Sequence, residues 1–110
     1  MAYRITNTVT KINDSDLWIT VGTPDYFSSP EETAILQDYI QTINSISGIT
    51  NQNINYEGNT LTITYEADSL NSLNAFDTAI SGHQFIRLRN QKLRDMNIAQ
   101  YVYSKTITEI

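Results

Sequence analysis

Residues 53–65 read NINYEGNTLTITY, and this stretch predicts the β-hairpin that decides the fold class. Gly58-Asn59 forms a two-residue turn, a type whose backbone twist matches that of paired strands. That turn places opposite each other two pairs of apolar residues, Tyr56 with Leu61 and Ile54 with Ile63. Asn and Thr side chains then share the other face. Because a slip of one residue would put every side chain on the wrong face, we expect the apolar face to be buried.

A helix is predicted before this hairpin. Ser29 is the expected N-cap, with Pro30 at the first helical position and Glu32 completing a capping box. Apolar residues then recur at helical spacing, at Leu36, Ile40, Ile43 and Ile46. Gly48 is expected to end this helix, because glycine readily adopts the left-handed conformation of a helix C-terminus.

A second helix is predicted after the hairpin, beginning at Asp68 or Ser69 and ending at Gly82. Its apolar stripe consists of Leu70, Leu73, Phe76 and Ile80. Both helices are expected to cover the apolar face of the hairpin, since each has one apolar side to bury.

Strands are predicted at both ends of the chain. Residues 2–12 alternate, with Tyr3, Ile5 and Val9 on one face. Leu17 to Val21 is expected to form a short apolar strand, and Tyr101 to Ile107 the last one. Residues 83–97 fit two patterns, because the alternation around Phe85 favours a strand while the spacing from Phe85 to Met96 also fits a helix. We expect a strand to about Asn90, followed by an irregular turn or short helix.

The order of elements predicts one α+β domain spanning residues 1–110. It contains the β-α-β-β-α-β order of a ferredoxin-like sandwich, with extra strands at the N- and C-termini. In that fold an antiparallel sheet carries both helices on one face. A chain of 110 residues has the length of a single domain.

The amino-acid composition disfavours several classes of function. The net charge is −5 and the sequence pI is about 4.5, which disfavours general nucleic-acid binding. The chain has no cysteine, so it has neither a disulfide nor a thiolate site. No apolar run approaches the roughly 20 residues of a membrane-spanning helix, and the N-terminus lacks the apolar core of a signal peptide. We expect a cytoplasmic protein, or a virion protein if phage-encoded, with no cofactor, no metal and no membrane partner.

His83 is the single side chain suited to proton transfer near neutral pH. Asp77 precedes it by six residues, and such a pair could orient a base in a small enzyme. The favoured interpretation is that His83 follows the Gly82 cap and meets the last carbonyls of the helix. The acidic residues around Asp14 and Asp16 are interpreted as a solvated turn, because an EF-hand's glycine and closing glutamate are missing.

The basic segment consists of Arg87, Arg89, Lys92 and Arg94, four of the seven positive charges within eight residues. In a strand, Phe85, Arg87 and Arg89 would share one face, an arrangement that can hold single-stranded RNA. The second interpretation is an interface with an acidic partner, such as another copy of this chain. The third is a charged face that protects a sheet edge from pairing. Tyr26 and Phe27, in the loop before Ser29, are further candidates for protein contact.

These observations favour a non-catalytic protein-interaction or assembly module that self-associates. The composition, rich in Asn, Thr and Ile and poor in Lys, resembles that of many short bacteriophage proteins, and so favours a virion component or accessory factor. Two alternatives stay open. One is a small-ligand sensor or sequestering domain with a site between subunits, and the other is the enzyme using His83. The sensor requires a partly apolar pocket with converging polar groups.

Overall fold

The protein, described over residues 1–110 by a computed structural model, is a four-stranded antiparallel sheet with three helices on one face. The elements are β1 (Tyr3–Thr10), α1 (Pro30–Ser45), β2 (Ile49–Glu57), β3 (Thr60–Ala67), α2 (Leu70–Ser81), α3 (Gln84–Asp95) and β4 (Val102–Glu109). The strand order is β2-β3-β1-β4. This arrangement confirms the predicted ferredoxin-like α+β class, with a third helix in place of the extra strands. None of the helices has the length and apolar character needed to cross a bilayer.

Two predicted helix starts are confirmed by their caps. The Ser29 hydroxyl accepts a hydrogen bond from the backbone N–H of Glu32, and Pro30 opens α1. The Ser69 hydroxyl accepts from the N–H of Ser72 at the start of α2. These side chains satisfy backbone donors that have no partner inside the helix. The helix α1 ends at Ser45, earlier than predicted, and the left-handed Gly48 lies in the turn that follows.

The predicted hairpin register is confirmed. Ile54 pairs with Ile63 and Tyr56 pairs with Leu61. Gly58 has a φ of 61°, the left-handed conformation required at the first position of this kind of turn. The prediction of burial holds for Leu61, which is 3% exposed, but not for its partners on β2, since Ile54 is 46% and Tyr56 41% exposed. The reason is that β2 is an edge strand, which the helices do not fully cover.

The strand predicted for His83 to Asn90 is wrong, because residues 84–95 form the helix α3. Phe85 and Leu93 on this helix are buried, and they lie eight residues apart on its inner side. Periodicity over so short a segment does not separate the two structures, and packing on the sheet decides between them. The strand predicted for residues 17–21 is also wrong, since that stretch is irregular. Its residues are nevertheless held in place, with Ile19 and Thr20 buried.

Two clusters of buried side chains form the core between the sheet and the helices. The larger one contains Val9, Ile19, Phe27, Leu36, Tyr39, Leu61, Phe85, Leu93 and Tyr101. The smaller one contains Ile5, Tyr65, Ala67, Leu73 and Phe76. Both use the inward faces of the central strands β1 and β3. The inward faces of the edge strands remain partly open, and this opening forms the candidate site.

Candidate ligand-binding pocket

A pocket of about 690 Å³ lies between the helices and the inward face of the sheet. Its lining is mostly apolar or aromatic and is drawn from every helix and strand of the domain. The aromatic members are Tyr39, Tyr56, Tyr65, Phe76, Phe85, Tyr101 and Tyr103. Pockets of a few hundred cubic ångströms with an apolar lining and a few polar groups are typical of small-molecule sites.

A β-bulge in β2 determines which residues of that strand reach the pocket. Ile49 pairs with Ala67 and Ile54 pairs with Ile63, so β2 has one residue more than β3 over this interval. Asn51, inside the bulge, has a φ of 53°. Because the extra residue reverses the alternation, Ile49 and Ile54 face the same side despite their odd spacing. Ile54 and Tyr56 therefore line the mouth of the pocket.

Polar residues interrupt the apolar inward faces of β1 and β4 at neighbouring positions. Asn7 lies between the inward-facing Ile5 and Val9, and it pairs across the sheet with Lys105 of β4. The ammonium group of Lys105 donates to Asp77 of α2 at 2.8 Å between Nζ and Oδ2. Asn7, Asp77 and Lys105 all line the pocket. These three residues form the amide end of the pocket, and the charges of Lys105 and Asp77 neutralise each other there.

The phenol of Tyr65 belongs to the same end. Burial, reinforced by the nearby carboxylate of Asp77, raises the pKa of Tyr65 to about 12. The hydroxyl group therefore keeps its proton at neutral pH. With the Asn7 amide, the amide end offers a bound molecule both hydrogen-bond donors and acceptors.

Arg89 is the third charged residue of the pocket lining, and its surroundings are called the cationic end of the pocket. It lies on α3, and its guanidinium carbon is 5.5 Å from the ring centroid of Tyr103 on β4. The buried Nε of Arg89 has no hydrogen-bond partner. The ion pairs of the structure join Arg4 to Glu66, Lys92 to Glu32, Lys105 to Asp77 and His83 to Asp38, so none includes Arg89. Leaving a buried donor without a partner costs about 1–3 kcal/mol.

Three tyrosines surround Arg89. Burial raises the pKa of Tyr39 and Tyr101, and partial burial raises that of Tyr103, which is 53% exposed. The positive charge of Arg89 acts in the opposite direction on each pKa. Because burial is the largest cause in each case, the phenols remain protonated at neutral pH. The Arg89 guanidinium thus has neutral aromatic neighbours and no carboxylate.

Segment 11–27, irregular apart from a short 3₁₀ helix at Pro24–Tyr26, closes one side of the pocket and is held by specific polar contacts. The Tyr101 hydroxyl donates to the carbonyl of Leu17 at 2.6 Å and accepts from the N–H of Ile19 at 2.9 Å. The hydroxyls of Thr20 and Tyr56 are hydrogen-bonded at 2.8 Å. Trp18 contacts the rings of Tyr56 and Tyr101, with centroids 5.7 and 5.0 Å away. The single tryptophan therefore lies directly behind two residues of the pocket lining.

His83 lies outside the pocket lining, and both of its ring nitrogens are engaged. Nδ1 accepts from the N–H of Phe85 at 3.0 Å, which makes His83 the N-cap of α3. Nε2 is 2.7 Å from Oδ2 of Asp38, and it must donate there because Nδ1 is an acceptor. The interpretation that His83 meets the last carbonyls of α2 holds for its backbone, whose N–H donates to the carbonyl of Ile80 at 3.2 Å. Its side chain instead caps the next helix. Its partner carboxylate is Asp38, while Asp77 pairs with Lys105.

The basic segment does not form one surface. In a helix, residues two apart point to nearly opposite sides, so Arg87 is exposed while Arg89 faces the pocket. Lys92 binds Glu32 of α1 at 2.6 Å, and this contact holds the pKa of Glu32 below its usual value. Arg94 is exposed.

Phe27 is 1% exposed and belongs to the core, while the partly buried Tyr26 packs against that core. Neither the shared face predicted for Arg87 and Arg89 nor a surface role for Phe27 is consistent with the structure.

Sequence reasoning missed most of the pocket, although one signal was present. Asn7 interrupts the apolar alternation of β1, and Lys105 interrupts that of β4 between Tyr103 and Ile107. A polar residue on an inward face usually needs a partner, which points to a site. Arg89 gave no such signal, because its orientation depends on the helical structure of residues 84–95.

Comparisons with known proteins identify the fold and no family. No protein-family model matches the chain, and no curated protein matches its sequence. A dimeric ferredoxin-like protein from an uncultured marine organism superimposes with a TM-score of 0.60 at 13% identity, over 100% of this chain and 94% of that one. SnoaB, a cofactor-independent oxygenase from Streptomyces nogalater, gives 0.54 at 10% identity, over 99% and 92%. A proposed antibiotic biosynthesis monooxygenase from Caulobacter crescentus gives 0.51 at 8% identity, over 99% and 90%. At sequence identities this low, the structural similarity establishes a shared fold alone.

These findings correct the functional expectation drawn from the sequence. A non-catalytic assembly module, encoded by a phage or not, is contradicted by structural neighbours that are named oxygenases. The expectation that the chain is not an enzyme is wrong for the same reason. The alternatives built on a small molecule agree better with these neighbours and with the pocket.

Proposed function

We propose that this protein is a small enzyme that binds a compact, mainly aromatic organic molecule in the pocket between sheet and helices. The observation that carries the proposal is the pocket itself, with about 690 Å³ of largely apolar space and polar groups at two ends. An apolar lining favours a ligand with little polar surface, and the polar ends fix its orientation. The aromatic side chains suit stacked or edge-on contacts with a flat ring system.

Oxygenation is the reaction class that we propose for the bound molecule. Support comes from the fold neighbours, two of which are named an oxygenase and a monooxygenase. The pocket agrees with this class, because an apolar enclosure keeps water away from a reactive organic intermediate. Ligand binding without turnover is the second candidate, and the same pocket supports it.

The binding part of the proposal is tested with phenylnaphthylamine, an uncharged aromatic probe that fluoresces in apolar surroundings. We expect saturable one-site binding to the wild-type protein. Ile54→Trp should weaken it, because Ile54 lines the mouth of the pocket. Asn55→Trp is the matched control, since successive residues of a strand point to opposite faces. Absence of binding, or equal binding by both variants, would contradict the pocket as the site.

The catalytic part is tested by oxygen consumption with a panel of hydroxylated polycyclic aromatics. Compounds that displace the probe should be consumed together with oxygen, and Ile54→Trp should lower the rate while Asn55→Trp leaves it unchanged. Displacement without turnover, for every compound that binds, would favour the ligand-binding candidate over the enzyme.

We also propose that two copies of the chain associate. Support comes from the dimeric ferredoxin-like neighbour and from apolar side chains exposed on and near the edge strand β4, namely Val102, Tyr103, Ile107 and Ile110. Of the residues proposed for protein contact, Arg87 and Arg94 are exposed and free of ion pairs. They lie seven residues apart, on one side of α3. We propose that this side meets acidic residues of a second copy.

A further inference from the structure

We propose that the molecule held in the pocket carries an anionic oxygen group, a carboxylate, sulfonate or phenolate, that binds the guanidinium of Arg89. This inference rests on the proposed function and names the chemical class of its substrate. It starts from the state of Arg89, whose buried Nε lacks any hydrogen-bond partner. In folded proteins nearly all buried donors are paired, so an unpaired one calls for an explanation.

The charges of the pocket support an anionic ligand. Only three of its lining residues are charged, and Lys105 and Asp77 neutralise each other at 2.8 Å. The pocket therefore has one uncompensated positive charge, that of Arg89, in a chain whose net charge is −5. The chain has 12 acidic side chains, and none of them forms an ion pair with Arg89. An oxyanion would supply both the missing charge and the missing acceptor.

The surroundings of Arg89 suit an anion attached to an aromatic ring. The ring of Tyr103 lies against the guanidinium group, and Tyr39 and Phe85 line the same side of the pocket, stacked with centroids 4.5 Å apart. Protonated phenols can donate further hydrogen bonds to an oxyanion. Tyr103 and Lys105 project from the same face of β4, about 6.8 Å apart along the strand. A flat ring system fits between the cationic and amide ends, with its anion at Arg89 and a neutral oxygen near Asn7.

The test compares two probes that differ in one charge. Anilinonaphthalene sulfonate carries a sulfonate, and phenylnaphthylamine is its uncharged analogue. Arg89→Met removes the guanidinium while keeping a long apolar side chain, and Arg87→Met removes the same charge from the exposed side of the same helix. We expect Arg89→Met to weaken sulfonate binding by about 10- to 100-fold, the usual range for a lost hydrogen bond to a charged group. Binding of the uncharged probe should change by less than about 3-fold. Arg87→Met should leave both affinities within about 2-fold.

The outcomes separate this inference from the proposed function. If neither probe binds the wild-type protein, the pocket is not a ligand site and the proposed function fails. If both probes bind and Arg89→Met weakens them equally, or if Arg87→Met has the same effect, the anion site is overturned while the pocket stands. Thermal unfolding verifies that each variant is folded. Should Arg89→Met not fold, Arg89→Gln tests the same expectation, because its neutral amide removes the charge and retains polarity.

Discussion

At the residue scale, His83 is a titratable side chain whose hydrogen-bonding groups are all occupied by other parts of the protein. Its Nδ1 accepts the N–H of Phe85 and its Nε2 donates to Asp38, so no ring nitrogen is left for a substrate. The ring also packs edge-on against Tyr39, with centroids 5.1 Å apart. His83 therefore joins α1 to the start of α3 and supports two walls of the pocket without lining it.

His83→Ala should lower the free energy of unfolding by about 0.5–2 kcal/mol, the usual effect of losing an N-cap side chain. His83→Asn is the matched control, because asparagine also accepts a hydrogen bond at an N-cap, and its loss should be smaller. Denaturant unfolding measures both changes. Probe affinity and any turnover should stay within a few-fold of wild type. A loss of turnover of about 100-fold or more in a folded His83→Asn variant would instead identify His83 as an acid or base.

At the element scale, the hairpin shows how one register serves two purposes. In the pair Tyr56–Leu61, Leu61 on β3 is 3% exposed and belongs to the core, whereas Tyr56 on β2 is 41% exposed at the mouth of the pocket. The difference follows from position in the sheet, because β3 is flanked by β2 and β1 whereas β2 is an edge strand. Residues of the same type therefore contribute to stability on one strand and to binding on the other.

Leu61→Ala should cost about 2–5 kcal/mol of unfolding free energy, as large-to-small changes in a packed core do. Ile54→Ala should cost much less, about 1 kcal/mol or below, because Ile54 is already 46% exposed. The same variant should weaken binding of the uncharged probe by removing part of the pocket wall. Chemical denaturation measures the change in unfolding free energy, and probe titration measures the change in affinity. Equal losses of stability would show that the pocket is closed and packed rather than open.

The basic residues of the helix α3 lie in different environments on different sides of the helix. Arg89 faces the pocket, whereas Arg87 and Arg94 face away from it. Lys92 occupies a third position and joins α3 to Glu32 of α1. The density of basic residues is thus explained by three separate environments, each determined by the angular spacing of a helix.

At the scale of the whole molecule, an acidic protein carries an isolated basic surface at Arg87 and Arg94 and an apolar sheet edge at β4. Charge pairs at the rim of an interface mainly affect the rate of association and its salt dependence. We expect a homodimer by light scattering coupled to size exclusion. Arg87→Glu combined with Arg94→Glu should weaken it, most strongly at low ionic strength, where charges act over the longest range.

Probe binding is the internal control for this double variant, since neither residue lines the pocket. Unchanged probe affinity together with weaker association would assign the effect to the interface. A monomeric wild-type protein, or association that does not respond to the double variant at either salt concentration, would contradict the proposed contact.

Local signals in the sequence determined the parts of the fold that need only neighbouring residues. The turn at Gly58-Asn59 determines its own register, because only one pairing places the apolar side chains together. Ser29 and Ser69 begin their helices through hydrogen bonds that span three residues. These features were predicted correctly, as was the ferredoxin-like class that follows from their order.

Only the tertiary structure decided what residues 83–97 become and where the pocket lies. His83 caps α3 through a ring nitrogen, so the usual Ser, Thr, Asp or Asn signal is absent, and the apolar residues fit either period. Packing of Phe85 and Leu93 against the core selects the helix. That choice turns Arg89 inward and Arg87 outward. The pocket requires, in addition, a bulge in β2 and the pairing of Asn7 with Lys105, which lie 98 positions apart in the chain. Such contacts depend on the whole sheet, and no local pattern specifies them.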